Sequence, residues 1–273
     1  MKKSDYSISD IYSSLSSLGL ESGDTVFVHS NIGLFGRCGL ADTSDVLCEY
    51  FYLAIMDHIN PGGTLIVPTF TYSYPRKEVY NNRSPTRMGL FSEFIRKKNT
   101  SIRSDDPCYS VAACGDRAEE MTVGVGRNSF GSSNSFFSRF VHAKGKILNL
   151  NFDIGAGSTL IHFFERKLDV PYRFDKRFLG TSILDGRELS GESTIYVHYL
   201  HPSLVSDITT FDNLARKHGM FRTAKLGRGE MGVISADHTH KLIAVTLVTR
   251  PWFLTKAEIT GVIPTPEEYL PLR

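Results

Sequence analysis

No stretch of this sequence stays apolar for the ~18–20 residues that a bilayer-spanning helix needs, so membrane insertion is not expected. Cysteine is scarce: Cys38, Cys48, Cys108 and Cys114 are the four in 273 residues. None stands in a C-x-x-C pair, and no histidine accompanies them at zinc-ligand spacing. Free thiols in a reducing cytoplasm are therefore expected, and no metal is assigned. Neither sign of charge dominates. Lys plus Arg number 31 against 29 Asp plus Glu, a formal net charge of +2. That is too mild for a nucleic-acid binder, which concentrates basic charge on one face. Low-complexity tracts, runs of like charge and internal repeats are missing, as are the G-x-G-x-x-G and Walker patterns for nucleotides. The opening MKKSDYSISDIYSSL turns polar after two lysines, which is not the pattern of a secretory signal. Its Ile8, Ile11, Tyr12 and Leu15 fit a helical stripe instead.

What is present alternates between two periodicities. Short apolar runs at Asp24–Ser30, Thr64–Thr71, Val111–Cys114 and Lys146–Leu150 predict strands. Leu47–His58, Gly89–Lys97, Phe136–Val141 and Ser158–Leu168 predict helices. Strands separated by helices indicate an α/β fold with crossover connections. After about residue 175 the texture becomes β-rich, at Thr194–Leu200, Gly232–Ser235 and Leu242–Val248, with one helix over Phe211–Gly219. No linker separates the halves. The expectation is a single mixed α/β domain over 1–273, with an α/β core at 1–178 and a β-rich C-terminal portion at 179–273.

Five segments could carry chemistry. The loop from His29 to Gly36 (HSNIGLFG) follows a strand directly. Its amides could meet phosphate oxygens, or its glycines could simply make a tight turn. Thr69, Thr71 and Ser73 recur at period two, so they share a face that is either functional or an ordinary polar sheet surface. In Arg103–Val111, Asp105 and Asp106 precede Cys108, a conceivable nucleophile with no His or Asn near it in sequence. In Asn128–Ser135, Ser135 can cap the following helix, whose N-terminus favours anions. The fifth, GAGSTLIHFFERKLDVPYR at 155–173, places Ser158 as an N-cap after glycines. There Leu160, Ile161, Phe164 and Leu168 form an apolar stripe, and His162, Glu165, Arg166 and Asp169 share the opposite face. Glu165 can then reach His162, fixing its tautomer and raising its basicity, as a general base requires. A solvated polar face has the same spacing. His198, His201, His238 and His240 fall in β-rich or turn regions.

Taken in order, GDTVFVHSNIGLFG (23–36), GGTLIVPTFTYS (62–73), RSDDPCYSVAACG (103–115), FGSSNSFFSRF (130–140), STLIHFFE (158–165) and VPYRFDKRF (170–178) resemble the aminoglycoside 3-N-acetyltransferase family. The resemblance is closest over residues 10–180. It implies a metal-free, cytoplasmic enzyme of mixed α/β fold that moves an acyl group from a coenzyme A thioester to an amine. Coenzyme A falls to the early loop: His29, Ser30, Asn31, Ile32, Gly33, Phe35 and Gly36, with Ser110 near the thioester. His162 becomes the general base held by Glu165, and the oxyanion falls to backbone N–H groups or to a hydroxyl such as Thr69. Tyr72, Arg83, Asp106 and Tyr109 fall on the acceptor side, and residues 180–273 would shape the acceptor pocket. Resistance enzymes of the family commonly carry His-Pro where this chain has Asp106-Pro107, and a Gly where Asn149-Leu150-Asn151 stands.

Aminoglycosides are polycations and call for an acidic site. This chain is slightly basic and gathers Arg76, Lys77, Arg83 and Arg87 in one loop, residues that suit phosphate or are simply solvated. The expected function is an acyl-CoA-dependent N-acyltransferase acting on an amino sugar, nucleotide-linked as in surface-polysaccharide synthesis. The alternatives are an aminoglycoside 3-N-acetyltransferase conferring antibiotic resistance, a CoA-binding hydrolase using Cys108 or a serine, and a non-catalytic CoA- or nucleotide-binding protein. A homodimer is left open.

Overall fold

A computed structural model describes residues 4–153 and 158–270. In chain order the strands are β1 Thr25–Ser30, β2 Thr64–Pro68, β3 Tyr80–Asn81, β4 Ile102–Arg103, β5 Val111–Gly115, β6 Lys146–Leu150, β7 Arg173–Leu184, β8 Arg187–His198, β9 Arg222–Leu226 and β10 Gly229–Ser235. The helices are α1 Ile8–Ser16, α2 Ser44–Ile59, α3 Leu90–Lys97, α4 Ala118–Thr122, α5 Phe136–His142, α6 Leu160–Lys167, α7 Thr209–Lys217, α8 Ala236–Thr249, α9 Lys256–Thr260 and α10 Pro266–Tyr269. Side chains set several starts. Ser7 and Asp10 form a capping box on α1, and Thr43, Ser135 and Ser235 cap α2, α5 and α8 by accepting from backbone N–H groups.

The main sheet runs β4-β5-β2-β1-β6-β10-β9. At its centre β2, β1 and β6 are parallel, so their carboxyl ends share one edge, while β5 and β10 pair antiparallel on the flanks. Alternation along these strands builds two cores. Val26, Val28, Leu65, Val67, Leu148 and Leu150 pack toward α1, α2 and α3. Phe27, Ile66 and Ile147 pack toward α4, α5, α6 and α8. Because side chains alternate strictly, a one-residue slip would exchange the faces. The second face continues past its last apolar residues into His29 and Asn149, cross-strand partners at the carboxyl edge.

A second sheet, β3-β7-β8, is dominated by a hairpin paired from Arg173↔His198 to Leu184↔Arg187. Its two-residue turn is Asp185-Gly186, both at positive φ, the backbone that a tight hairpin requires.

Three expectations are corrected. The run at 242–248 is not a strand: it lies within α8. There Thr239, Leu242, Ile243, Thr246 and Leu247 are buried at helical spacing, while Val245 and Val248 are exposed. A short β-branched run suits either element, and the Ser235 cap decides for helix. His238 and His240 are therefore helical. The strand expected to reach Thr71 ends at Pro68, and Thr194–Leu200 is the tail of the much longer β8, which stops at His198.

Candidate active site

Helix α6 buries Leu160, Ile161, Phe163 and Phe164, and it buries Glu165 as well. The polar face inferred from spacing is thus not a wet one. Asp169, at φ 49°, turns the chain back on itself, and Val170 N–H donates to the Glu165 carbonyl. The returning segment lays Tyr172 and Arg173 over the carboxylate. Glu165 Oε2 accepts from His162 Nδ1 at 2.6 Å, and Oε1 accepts from the Tyr172 hydroxyl at 2.7 Å. Arg173 Nε lies 2.9 Å from Oε2. Arg173 is held in turn by the Tyr196 carbonyl and Ser206 Oγ. Ser158 is not the cap of α6. Thr159 takes that position without a side-chain bond, and Ser158 turns its hydroxyl inward. Leu168 lies past the helix end and is exposed. The glycines expected to open this helix, Gly155 and Gly157, lie outside the described residues.

The electrostatics follow from this packing. Burial pushes the Glu165 carboxyl up, but Arg173, His162 and Tyr172 outweigh it and hold the group below the usual carboxylate range. Burial pushes His162 down, Arg173 pushes it further, and the pull of Glu165 does not make up the difference. At neutral pH the pair is therefore an ionised carboxylate and a neutral imidazole. An ionised Glu165 can only accept, so Nδ1 carries the proton and Nε2 keeps a free lone pair. A neutral, oriented imidazole with a free Nε2 is what proton abstraction needs.

His162, whose side chain is 21% exposed, lines a cleft of about 590 Å³. Tyr109, Tyr196 and His198 line it near the base; Phe174, Lys176 and Tyr199 continue it along the hairpin, and Tyr269 closes one side. No Asp or Glu is among the described residues that line it. Ring contacts run from Tyr72 to Tyr109 (5.2 Å), Tyr109 to Phe130 (4.9 Å) and Phe130 to His162 (5.9 Å). The structure thus brings Tyr72 and Tyr109 into the surroundings of the base. Tyr72 holds a left-handed φ of 52°, a conformation costing of order 1–3 kcal/mol that tends to persist near functional sites.

Other predicted residues are placed differently. Thr69 and Ser110 meet each other, fully buried: the Thr69 hydroxyl donates to Ser110 Oγ and accepts from Arg103 Nε, and Ser110 donates to the Thr69 carbonyl. With that engagement and no exposed surface, Thr69 braces the end of β2 rather than presenting a free donor. Asp106 is also buried, and its carboxylate accepts from Cys108 N–H, Tyr109 N–H and Ser129 Oγ, so it braces its own loop and is not turned toward an acceptor. Arg83 is exposed on the loop after β3, which pairs with Ser182 and Ile183. The Asn82 and Ser84 carbonyls on either side of it accept from Arg103, which ties this loop to the end of β2. Neither Arg83 nor Arg76, Lys77 or Arg87 lines the cleft.

In the early loop, Ile32 and Phe35 point into the core beside α2, so their side chains do not face a ligand. Gly36 holds φ 93°, where a Cβ would strike Asp5. His29 and Ser30 differ: His29 Nε2 and Ser30 Oγ are buried and have no partner among the described residues. Burial takes the His29 imidazole down to about 3, so it is neutral. Asn31 donates its N–H to the Leu150 carbonyl, and Gly33 has open space beside its Cα. Cys108 is buried with its thiol pushed up to about 12 by burial and by Asp106, the opposite of an activated nucleophile. Tyr172, Arg173 and Lys176 lie in the VPYRFDKRF segment but were given no role from sequence, His198 was left without one, and Tyr199 and Tyr269 were not singled out. The one available signal was VPYR directly after the helix carrying the His–Glu pair.

The aminoglycoside 3-N-acetyltransferase family profile matches residues 27–247. Among solved structures, "AAC-IIIb binary with CoASH" aligns at TM-score 0.76 and 21% identity, covering 89% of this chain and 97% of that one. "AAC-VIa bound to Sisomicin" aligns at TM-score 0.74 and 18% identity, covering 90% and 98%. The YokD protein from Bacillus subtilis aligns at TM-score 0.71 and 19% identity, covering 94% and 95%.

Proposed function

The chain belongs to the aminoglycoside 3-N-acetyltransferase family, and from that premise we propose that it transfers an acyl group from coenzyme A to the amine of an amino sugar, nucleotide-linked rather than a free aminoglycoside. The observation that carries the transfer reaction is the buried carboxylate–imidazole pair at the cleft. An ammonium is not a nucleophile. Neutral His162 Nε2 takes its proton as the amine attacks the thioester carbonyl, and ionised Glu165 stabilises the imidazolium that forms. The C–S bond of the tetrahedral intermediate then breaks, and the second proton that the nitrogen sheds leaves with the thiolate as the free thiol of coenzyme A. The acyl donor fits the early loop, where His29 Nε2 and Ser30 Oγ lack partners among the described residues and Gly33 leaves room. Tyr72 and Tyr109 fall on the acceptor side of the base.

The choice of acceptor rests on charge. A cleft lined by Lys176 and Arg173, with no carboxylate among the described residues that line it, gives a polycation no counter-ion. The Arg76–Arg87 loop does not supply this preference, since none of its basic residues lines the cleft. The resistance reading is favoured by the similar structure of AAC-VIa bound to sisomicin. The hydrolase reading loses its candidate nucleophile in the Cys108 thiol. The test is free-thiol release from acetyl-CoA with a dTDP-linked amino sugar and with sisomicin as parallel acceptors. Release with the nucleotide sugar alone supports the proposal. Release with sisomicin alone makes this a resistance enzyme and refutes the charge argument, and release without any amine points to hydrolysis.

A further inference from the structure

The cleft holds a feature that proton abstraction does not use. Phe174 at the start of β7 and Tyr199 just past β8 stack with centroids 4.6 Å apart and planes at 28°. Tyr269 of α10 leans on Tyr199 at 5.2 Å and on Trp252 at 6.4 Å. Three separate parts of the chain thus build one continuous aromatic wall, and its members are half-buried, with ring surface left to the cleft. Beside it stands Lys176, exposed, with its ammonium 5.5 Å from the Phe178 ring centre and no ion-pair partner among the described residues. The other lining cation, Arg173, is neutralised from below by Glu165. The cleft therefore presents flat π surface and one uncompensated positive charge.

We propose that the Phe174–Tyr199–Tyr269 wall and Lys176 form the subsite that recognises the nucleoside diphosphate of the acceptor, the wall stacking on the base and Lys176 meeting the diphosphate. This rests on the nucleotide-linked reading of the acceptor, and it makes Tyr199 and Lys176 specificity-determining residues. Stacking on aromatic side chains is tolerant of base identity, because every base has a π face. The subsite therefore selects nucleotides as a class, and Lys176, as a point charge, contributes affinity that salt weakens. A polycation without a planar π system gains from neither part.

The chain has one tryptophan, Trp252, which touches Tyr269 and reports on the wall by its fluorescence. The experiment titrates thymidine 5′-diphosphate into the enzyme saturated with coenzyme A, so that the nucleotide half of the acyl-donor site is already filled. Saturable quenching is expected. Tyr199→Ala and Lys176→Met should each weaken binding by about tenfold, Tyr199→Phe should retain it, and added salt should weaken the wild type but hardly Lys176→Met. Sisomicin should not displace the nucleotide. The proposal is overturned if coenzyme A abolishes the quenching, if none occurs, or if Tyr199→Ala and Lys176→Met bind as the wild type does. Thiol release from acetyl-CoA in the same samples separates the two levels. Release with sisomicin and no nucleotide binding removes the subsite and leaves the acyltransferase standing. Nucleotide binding with no release for any amine does the reverse.

Discussion

Replacing Glu165 by Gln tests the buried triad at its centre. The Glu165 and Arg173 side chains are 1% and 5% exposed, with charges 2.9 Å apart. At an effective dielectric of about 20 their attraction is roughly 6 kcal/mol, comparable to the several kcal/mol that each ion loses on leaving water. The intact pair therefore contributes little net stability. Removing one charge is different: the Arg173 guanidinium is left buried and uncompensated, which costs about 3–5 kcal/mol. For a chain of this size that is a fall in Tm of roughly 6–20 °C. Activity should fall too, by about 10²–10⁴ in kcat, because the imidazolium loses its counter-charge. Adding Arg173→Met removes the stranded cation, so the double variant should recover most of the Tm and none of the activity. The assays are thermal unfolding by circular dichroism and amine-dependent thiol release. A Glu165→Gln protein with unchanged Tm would show that the pair is not desolvated as described. One with kcat within about threefold of wild type would show that the carboxylate does not support a base.

Three further outcomes follow from the same geometry. His162 titrates below its ordinary 6.5, driven down by burial and by Arg173, so the acid limb of kcat should lie below pH 6.5 and the rate should be flat through pH 7. Arg173→Met should move that limb to higher pH, and a limb that stays in place contradicts the assignment. His29, lowered to about 3, refuses a proton that the unfolded chain accepts below 6.5. Its contribution to stability is therefore full above pH 6.5 and is lost as pH falls toward 3, a total of roughly 5 kcal/mol; denaturant midpoints of His29→Leu should fall less over that window than those of wild type. Cys108→Ala should keep thiol release within about threefold of wild type, since the buried thiol has no part in transfer, and a complete loss would revive the hydrolase reading.

The central strands were legible because β1, β2 and β6 are short apolar runs bounded by glycine and proline, and their residues alternate between two cores. Of the β7–β8 hairpin only the tail of β8 was legible, because elsewhere residues such as Lys176, Arg177, Glu188 and Glu192 are exposed and hide its period behind charge. Residues 242–248 misled because Val and Thr suit strands, while the deciding signal was a serine seven residues upstream. At the site, helical spacing gave the His162–Glu165 contact but not its burial. What buries Glu165 is a left-handed turn at Asp169 and a strand that comes back over the helix, neither of which a periodic pattern encodes. The cleft was invisible for a plainer reason. Its wall joins Phe174, Tyr199 and Tyr269, residues that only the tertiary fold makes neighbours. Thr69, Asp106 and Arg83 show the opposite error: polar residues in the right segments, two of them engaged in holding loops together and one exposed on a loop outside the cleft lining.

The most direct test of the account is amine-dependent thiol release from acetyl-CoA by His162→Ala beside the wild type, with acyl-CoA binding measured on both proteins. A general base at His162 predicts that kcat falls by about 10²–10⁴ while acyl-CoA binding is unchanged. A variant that keeps kcat within about threefold while binding the donor normally would contradict the claim that His162 takes the proton.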